Sequence, residues 1–182
     1  FLSGSSDGTV KLWTLNGTLE RTVHVGGEVN CIVVLPDGDH FVIGVILEES
    51  IDEIRSLLFH EIRLYHVDGT LVHAFGDPGW STSWKHVESL AVTPDGQHLI
   101  SASNDNLVKV WSVASKSRVS TWTHPDRVEA LAAMPDGQRI LSGSIDWTVR
   151  VWLIDGTLKN TYSELHSAGV LALVALPDNQ HA

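Results

Sequence analysis

Short runs in which apolar and polar side chains alternate, bounded by Gly, Asp, Asn or Pro, recur from one end of the chain to the other. Val29 to Leu35, Arg139 to Ser144, Thr148 to Leu153 and Thr157 to Tyr162 are rich in β-branched and aromatic residues and predict β-strands. Along Thr148 to Leu153, one alternating set holds Val149 and Val151 and the other Arg150 and Trp152. Large groups in both sets suit a sheet covered on both faces. The turns are legible as well. Pro-Asp-Gly joins a preset φ, a side chain that bonds its own backbone, and a residue that accepts positive φ. It predicts hairpins between first and second strands, while Asp68-Gly69-Thr70 and Asp155-Gly156-Thr157 predict hairpins between third and fourth.

These signals repeat in phase. Leu35-Pro36-Asp37-Gly38 recurs as Thr93-Pro94-Asp95-Gly96, Met134-Pro135-Asp136-Gly137 and Leu176-Pro177-Asp178-Asn179, with prolines 58, 41 and 42 residues apart. A second block, Ser3 to Trp13, recurs as Ser101 to Trp111 and Ser142 to Trp152, each with an Asp six residues before its Trp. The unit is therefore about 41 residues and four strands, with one enlarged copy.

A four-stranded repeat of this length carrying Ser-Gly-Ser-x-Asp-x-Thr-Val-x-Val-Trp resembles the WD40 repeat, one blade of a β-propeller, over essentially the whole chain. The resemblance implies an all-β propeller fragment of four-stranded antiparallel blades. It also implies a structural tetrad in the fourth copy of His124, Ser142, Asp146 and Trp152, whose donors and acceptors satisfy one another when buried. Ser101, Asp105 and Trp111 match in the third copy, and Ser3, Asp7 and Trp13 in the first. Ser83 stands at the third copy's His position, His24 lies one place early in the second, and each motif Trp is followed by Thr14, Ser112 or Leu153 rather than Asp.

The expected organisation is an incomplete blade over 1–23, a blade over 24–76 with an insertion at 46–60, blades over 77–122 and 123–162, and the start of another over 163–182. A closed ring needs more: seven or eight blades correspond to roughly 290 to 340 residues at this period. The expectation is that the remaining blades come from the same longer chain or from another copy. Phe1 is not an initiator Met, and no basic leader followed by an apolar segment is present, so neither a signal peptide nor a natural start is expected.

The insertion is the irregular feature. Ser50 and Glu53 fit a capping box, and Leu47, Ile51, Ile54 and Leu58 fall on one helical stripe, predicting a short amphipathic helix in the second blade. Such a helix is marginal alone and needs a surface. It folds onto its own propeller or docks in a partner's groove; the alternative is that the segment lengthens the second and third strands into a protruding hairpin. Trp80 and Trp84, in the linker Asp77 to His86 at the same end, are aromatic anchors either for a partner or for a seam between blades. Leu47, Ile51, Ile54, Leu58, Trp80 and Trp84 are thus the partner-binding candidates.

Composition narrows the functional classes. Of 182 residues, 43% are hydrophobic and 19% charged, the balance of a soluble folded chain, and no apolar run approaches the roughly 20 residues of a membrane helix. Twelve Lys plus Arg against 22 Asp plus Glu give a net charge of −10, which disfavours nucleic acid and anionic lipid as partners. Cys31 is the single cysteine, so no disulfide framework is expected and an intracellular, cytoplasmic setting is. The ten histidines lack metal-site spacing, and no metal or cofactor is expected. No phosphate loop, HExxH or nucleophile elbow occurs, and the Ser, His and Asp sets recur once per repeat, as structural elements do. The function expected is a non-catalytic interaction scaffold whose partners are other proteins in a larger complex. The alternatives are a subunit reading a modified or acidic peptide, with Arg127 and Lys85 as its cations, and a non-catalytic domain of a larger enzyme.

Overall fold

A computed structural model describes residues 1–50, 56–76, 86–163 and 166–177, and every regular element among them is a β-strand. The chain forms two compact units, Phe1–Val87 and Glu88–Ala182. In the first, β1 (Leu2–Gly4), β2 (Thr9–Trp13) and β3 (Leu19–His24) make a three-stranded antiparallel sheet. There β4 (Glu28–Val34), β5 (His40–Ser50), β6 (Ser56–His66) and β7 (Leu71–Phe75) make a four-stranded one. The second unit holds the sheet of β8 (Val87–Val92, apart from Val87), β9 (His98–Ser103), β10 (Leu107–Ser112) and β11 (Ser117–Thr123). Its other sheet is β12 (Val128–Ala133), β13 (Arg139–Ser144), β14 (Val149–Leu153) and β15 (Leu158–Tyr162). Strands within each sheet follow one another in chain order, so every connection is a hairpin.

The hairpins close by the chemistry the turn residues supply. Asp37 Oδ1 accepts from the backbone of Asp39 and His40 at 2.9 and 3.0 Å, and Asp136 Oδ1 accepts from Gln138 and Arg139 at 2.9 and 3.0 Å. Gly38 sits at φ +75° and completes the turn by donating to the Leu35 carbonyl. Each third strand carries an aromatic residue where its pairing with the fourth strand slips by one: at Trp13, Tyr65, Trp111 and Trp152. A bulge at the same place in every sheet raises the local twist next to the aromatic ring.

Each unit has its own core. In the first, Val10 and Val23 pack with Phe41, Ile43, Val45 and Tyr65; in the second, Ala102, Val108, Val110 and Trp122 pack with Val128, Leu131, Ile140 and Trp152. Gly143 on β13 admits Val170, whose N–H donates to the Ser144 carbonyl at 3.0 Å. A Cβ there would lie 2.6 Å from Val170 Cγ1 and 3.1 Å from the Val170 carbonyl oxygen. Gly4 does the same for Val29, with 2.5 Å to its Cγ1. Gly143→Val is expected to cost about 1–3 kcal/mol by overpacking, read as a lower urea midpoint at unchanged slope; an unchanged midpoint would show that Val170 moves aside freely.

Among the described residues no helix forms over the insertion. Instead β5 and β6 stay paired from His40↔His66 to Ser50↔Ser56, so the strand-lengthening alternative is the observed one. Register explains why the helical stripe dissolves. Leu47 lies on one face of the ribbon, partly buried on the core of Val45 and Phe41, while Leu58, paired with Glu48, lies on the other. Ile51 and Ile54 lie outside the described residues, as do Trp80, Ser83, Trp84 and Lys85.

Candidate functional site

The repeated polar positions assemble from β13 and β14 and from the connections that flank them. The Trp152 indole donates to Ser142 Oγ at 2.8 Å, Trp111 to Ser101 at 2.9 Å, and Trp13 to Ser3 at 2.9 Å. Aspartate has one recurring task, closing the turn after the second strand. Asp146 Oδ1 accepts from Thr148 N at 3.0 Å and Thr148 Oγ1 at 2.6 Å, Asp7 repeats this with Thr9 at the same distances, and Asp105 takes Leu107 N at 3.0 Å. Each is a two-residue carboxylate turn.

Between His124 and Asp146 stands a residue that the sequence reading passed over. Arg150 Nη1 lies 2.8 Å from His124 Nε2 and donates to Asp146 Oδ2 at 2.7 Å, whereas His124 Nδ1 and Asp146 Oδ2 are 4.0 Å apart. The tetrad is thus two linked halves, Trp152 with Ser142 and His124 with Asp146 through a guanidinium. His124 is fully buried; burial first, and then the Arg150 charge, pull its pKa down to about 4. For Asp146, burial pushes upward, but hydrogen bonds from Thr148 and Arg150 outweigh it and hold the carboxyl below its usual range.

The second copy solves the same problem differently. Val25 N donates to the Gly8 carbonyl as His124 N does to Asn106, so Val25, 3% exposed, occupies the buried place of the imidazole and His24 is exposed. Arg63, in register with Arg150, then donates to the Val25 carbonyl at 2.7 Å and pairs with Glu61 at 2.8 Å. The signal was available in the sequence: Lys11, Arg63, Lys109 and Arg150 all stand two residues before the third-strand aromatic.

Two further residues were missed. His60 on β6 is 8% exposed, its Nε2 has no hydrogen-bond partner among the described residues, and its ring lies 4.1 Å from that of His86. Burial first, and His86 second, lower its pKa to about 4. Trp147 is 54% exposed and held at φ +70°, in phase with Gly8 at +80° and Asn106 at +66°. A bulky residue in that region carries about 1–2 kcal/mol of strain, so an exposed indole is being retained where Gly or Asn fits better. Trp147→Gly is expected to raise stability by about 0.5–1 kcal/mol, checked by thermal and urea unfolding; a loss would mean that the half-covered indole packs productively on its own sheet.

The expected partner residues do not form one stripe. Of those within the described residues, Leu47 is largely committed to the first unit's core, while Leu58 is 40% exposed beside Glu48. Arg127, a cation expected for acidic-peptide reading, is neutralised by Glu129 through its Nε. No cluster of three or more His, Cys, Asp or Glu able to hold a metal occurs among the described residues.

Comparison with known proteins follows the same lines. No curated protein matches the sequence. Among solved structures, one described as "Structure of U3-55K" is 23% identical, with 95% of this chain and 47% of that one covered at a TM-score of 0.68. Another, "Crystal structure of RRP9 WD40 repeats", is 24% identical, with 96% and 47% covered at 0.68. The likeness is one of fold, and the chain spans 47% of the length of each. The family model described as "WD domain, G-beta repeat" matches residues 1–14, 66–112 and 116–152, more than half of the chain. Four in-phase sheets, three Trp-to-Ser hydrogen bonds and that match together establish that the chain belongs to the WD40 repeat family.

Proposed function

We propose that the chain works as a non-catalytic platform within a multi-protein assembly, with the β5–β6 hairpin as a partner surface. Domains of this family are generally protein-interaction scaffolds, and the surface assignment rests on one observation. The pairing of β5 with β6 runs out to Ser50↔Ser56, whereas β4 accompanies β5 only to Ile46 and β7 accompanies β6 only to Ile62. The ribbon therefore outruns both neighbours, and a two-stranded ribbon in water is marginal on its own. Unpaired strand edges are templates for another chain.

The test is site-specific photo-crosslinking of the full chain at native expression level, with p-benzoylphenylalanine at Leu58 and, as control, at Leu19, 44% exposed on β3. A discrete protein adduct at 58 and none at 19 is the expected result. Adducts at 19 alone would move the partner surface elsewhere, and none at either position would remove the support for a platform.

A further inference from the structure

We propose that the pocket beside this hairpin receives a Lys or Arg side chain from an extended, basic segment of a partner protein. The inference rests on the reading of the hairpin as a docking surface and adds the partner's chemistry. In the first unit a concavity of about 390 Å³ lies among the β1–β2 turn, the β3–β4 connection and the hairpin. Asp7, Glu28 and Glu48 line it, and no Lys or Arg is among its lining residues. Glu28 and Glu48 make no ion pair or side-chain hydrogen bond with the described residues. Asp7 is partly engaged, with Oδ1 accepting from Thr9 N and Oγ1 and the carboxylate also held by Ser5. The Lys11 charge acts on Asp7 and lowers its pKa, so Glu28 and Glu48 are the carboxylates left for an incoming cation.

The apolar part of the wall fits the same occupant. Leu58 and Glu48 are a cross-strand pair, and Ile46 lies two residues along on the same face. A carboxylate flanked by aliphatic groups suits a long cationic side chain, whose stem covers apolar surface while its head stays with the acid. The backbone offers the rest of the contact. Beyond Glu28↔Ile46 the outer edge of β5 has no strand partner among the described residues, and this edge can take an added strand. A Cβ on Gly27 would lie 2.2 Å from the Ile46 carbonyl oxygen, so glycine lets the β3–β4 connection lie close under the ribbon and form the pocket floor. The chain's net charge of −10 steers a basic segment toward it and repels acidic peptides and nucleic acid.

The experiment is selection of a phage-displayed random nonapeptide library on the full chain, followed by fluorescence anisotropy with the enriched peptide, labelled with fluorescein. Enrichment of Lys or Arg beside an apolar residue is expected. Affinity should fall about tenfold in Glu28→Gln/Glu48→Gln, two exposed charge pairs' worth, and fall again with added salt, while circular dichroism and melting temperature stay those of the wild type. Gly27→Ala supplies a second, steric variant for the floor. Enrichment of acidic or uncharged peptides, no enrichment, or equal affinity in the Gln variant would overturn the inference. Any of these together with an adduct at Leu58 leaves the platform reading standing, so the two fail separately.

Discussion

Trp152→Ala lowers the stability of the second unit by about 3–5 kcal/mol, the range for a large aromatic removed from a core. The indole is 6% exposed, stacks on Trp122 with ring centroids 5.6 Å apart, and donates to Ser142. Truncation opens a void among Trp122, Val128, Leu131 and Ile140, which belong to sheets that meet around it. It also strands the Ser142 hydroxyl, which is fully buried. Smaller changes apportion the loss. Trp152→Phe keeps most of the packing but not the hydrogen bond, and Ser142→Ala leaves the indole N–H unsatisfied at a cost of about 1–3 kcal/mol. Urea unfolding followed by circular dichroism checks the series. If Ser142→Ala equalled Trp152→Ala, the hydrogen bond rather than the packing would carry the site. Since a whole domain is stable by only about 5–15 kcal/mol, the largest of these substitutions is expected to leave the second unit partly unfolded at 37 °C.

Much of this core was legible because its determinants are local. Pro-Asp-Gly fixes its own backbone, so the hairpins at Asp37, Asp95 and Asp136 could be placed from four residues. The Trp and Ser positions recur in phase, ten residues apart on paired strands, and their hydrogen bonds follow from that register. For the insertion the sequence left helix and lengthened hairpin both open, because Leu47, Ile51, Ile54 and Leu58 satisfy a helical period over a stretch too short to test it. What decides the outcome is not local: Phe41 to Val45 pair with Tyr65 to Glu61, and the ladder extends outward from there. Arg150 was passed over for a related reason. Its phase with Arg63 is visible in sequence, but a guanidinium set between His124 and Asp146 depends on a buried separation that residue types do not encode. Trp147 could have been found by noticing that its neighbours in phase are Gly8 and Asn106.

Acidification from pH 7 to pH 4 removes up to about 3 kcal/mol of stability from the second unit through His124 alone. The sign follows from the direction of its shift. An unfolded-state imidazole takes up a proton near 6.5, while the folded one, buried beside Arg150, resists until about 4. Above 6.5 both states are neutral and the group contributes no pH dependence. Between 6.5 and 4 the unfolded state alone binds the proton, so folding weakens steadily, and below about 4 the loss levels off. Asp146 and Asp126 pull the other way, favouring the charged imidazole, but burial is the larger influence. Asp146 itself, held below its usual range, adds a separate loss below the ordinary carboxylate pKa. The second copy supplies the control, because Val25 fills the equivalent place there with Arg63 bonded to its carbonyl. His124→Val should therefore leave a folded unit in which Arg150 turns to the backbone carbonyl of residue 124, and its urea midpoint should be flatter between pH 6.5 and 4 than that of the wild type. His60 in the first unit, also lowered to about 4, should keep its own acid slope in that variant. Identical pH profiles for wild type and His124→Val would show that the imidazole titrates alike in the folded and unfolded states, so that burial does not hold it neutral.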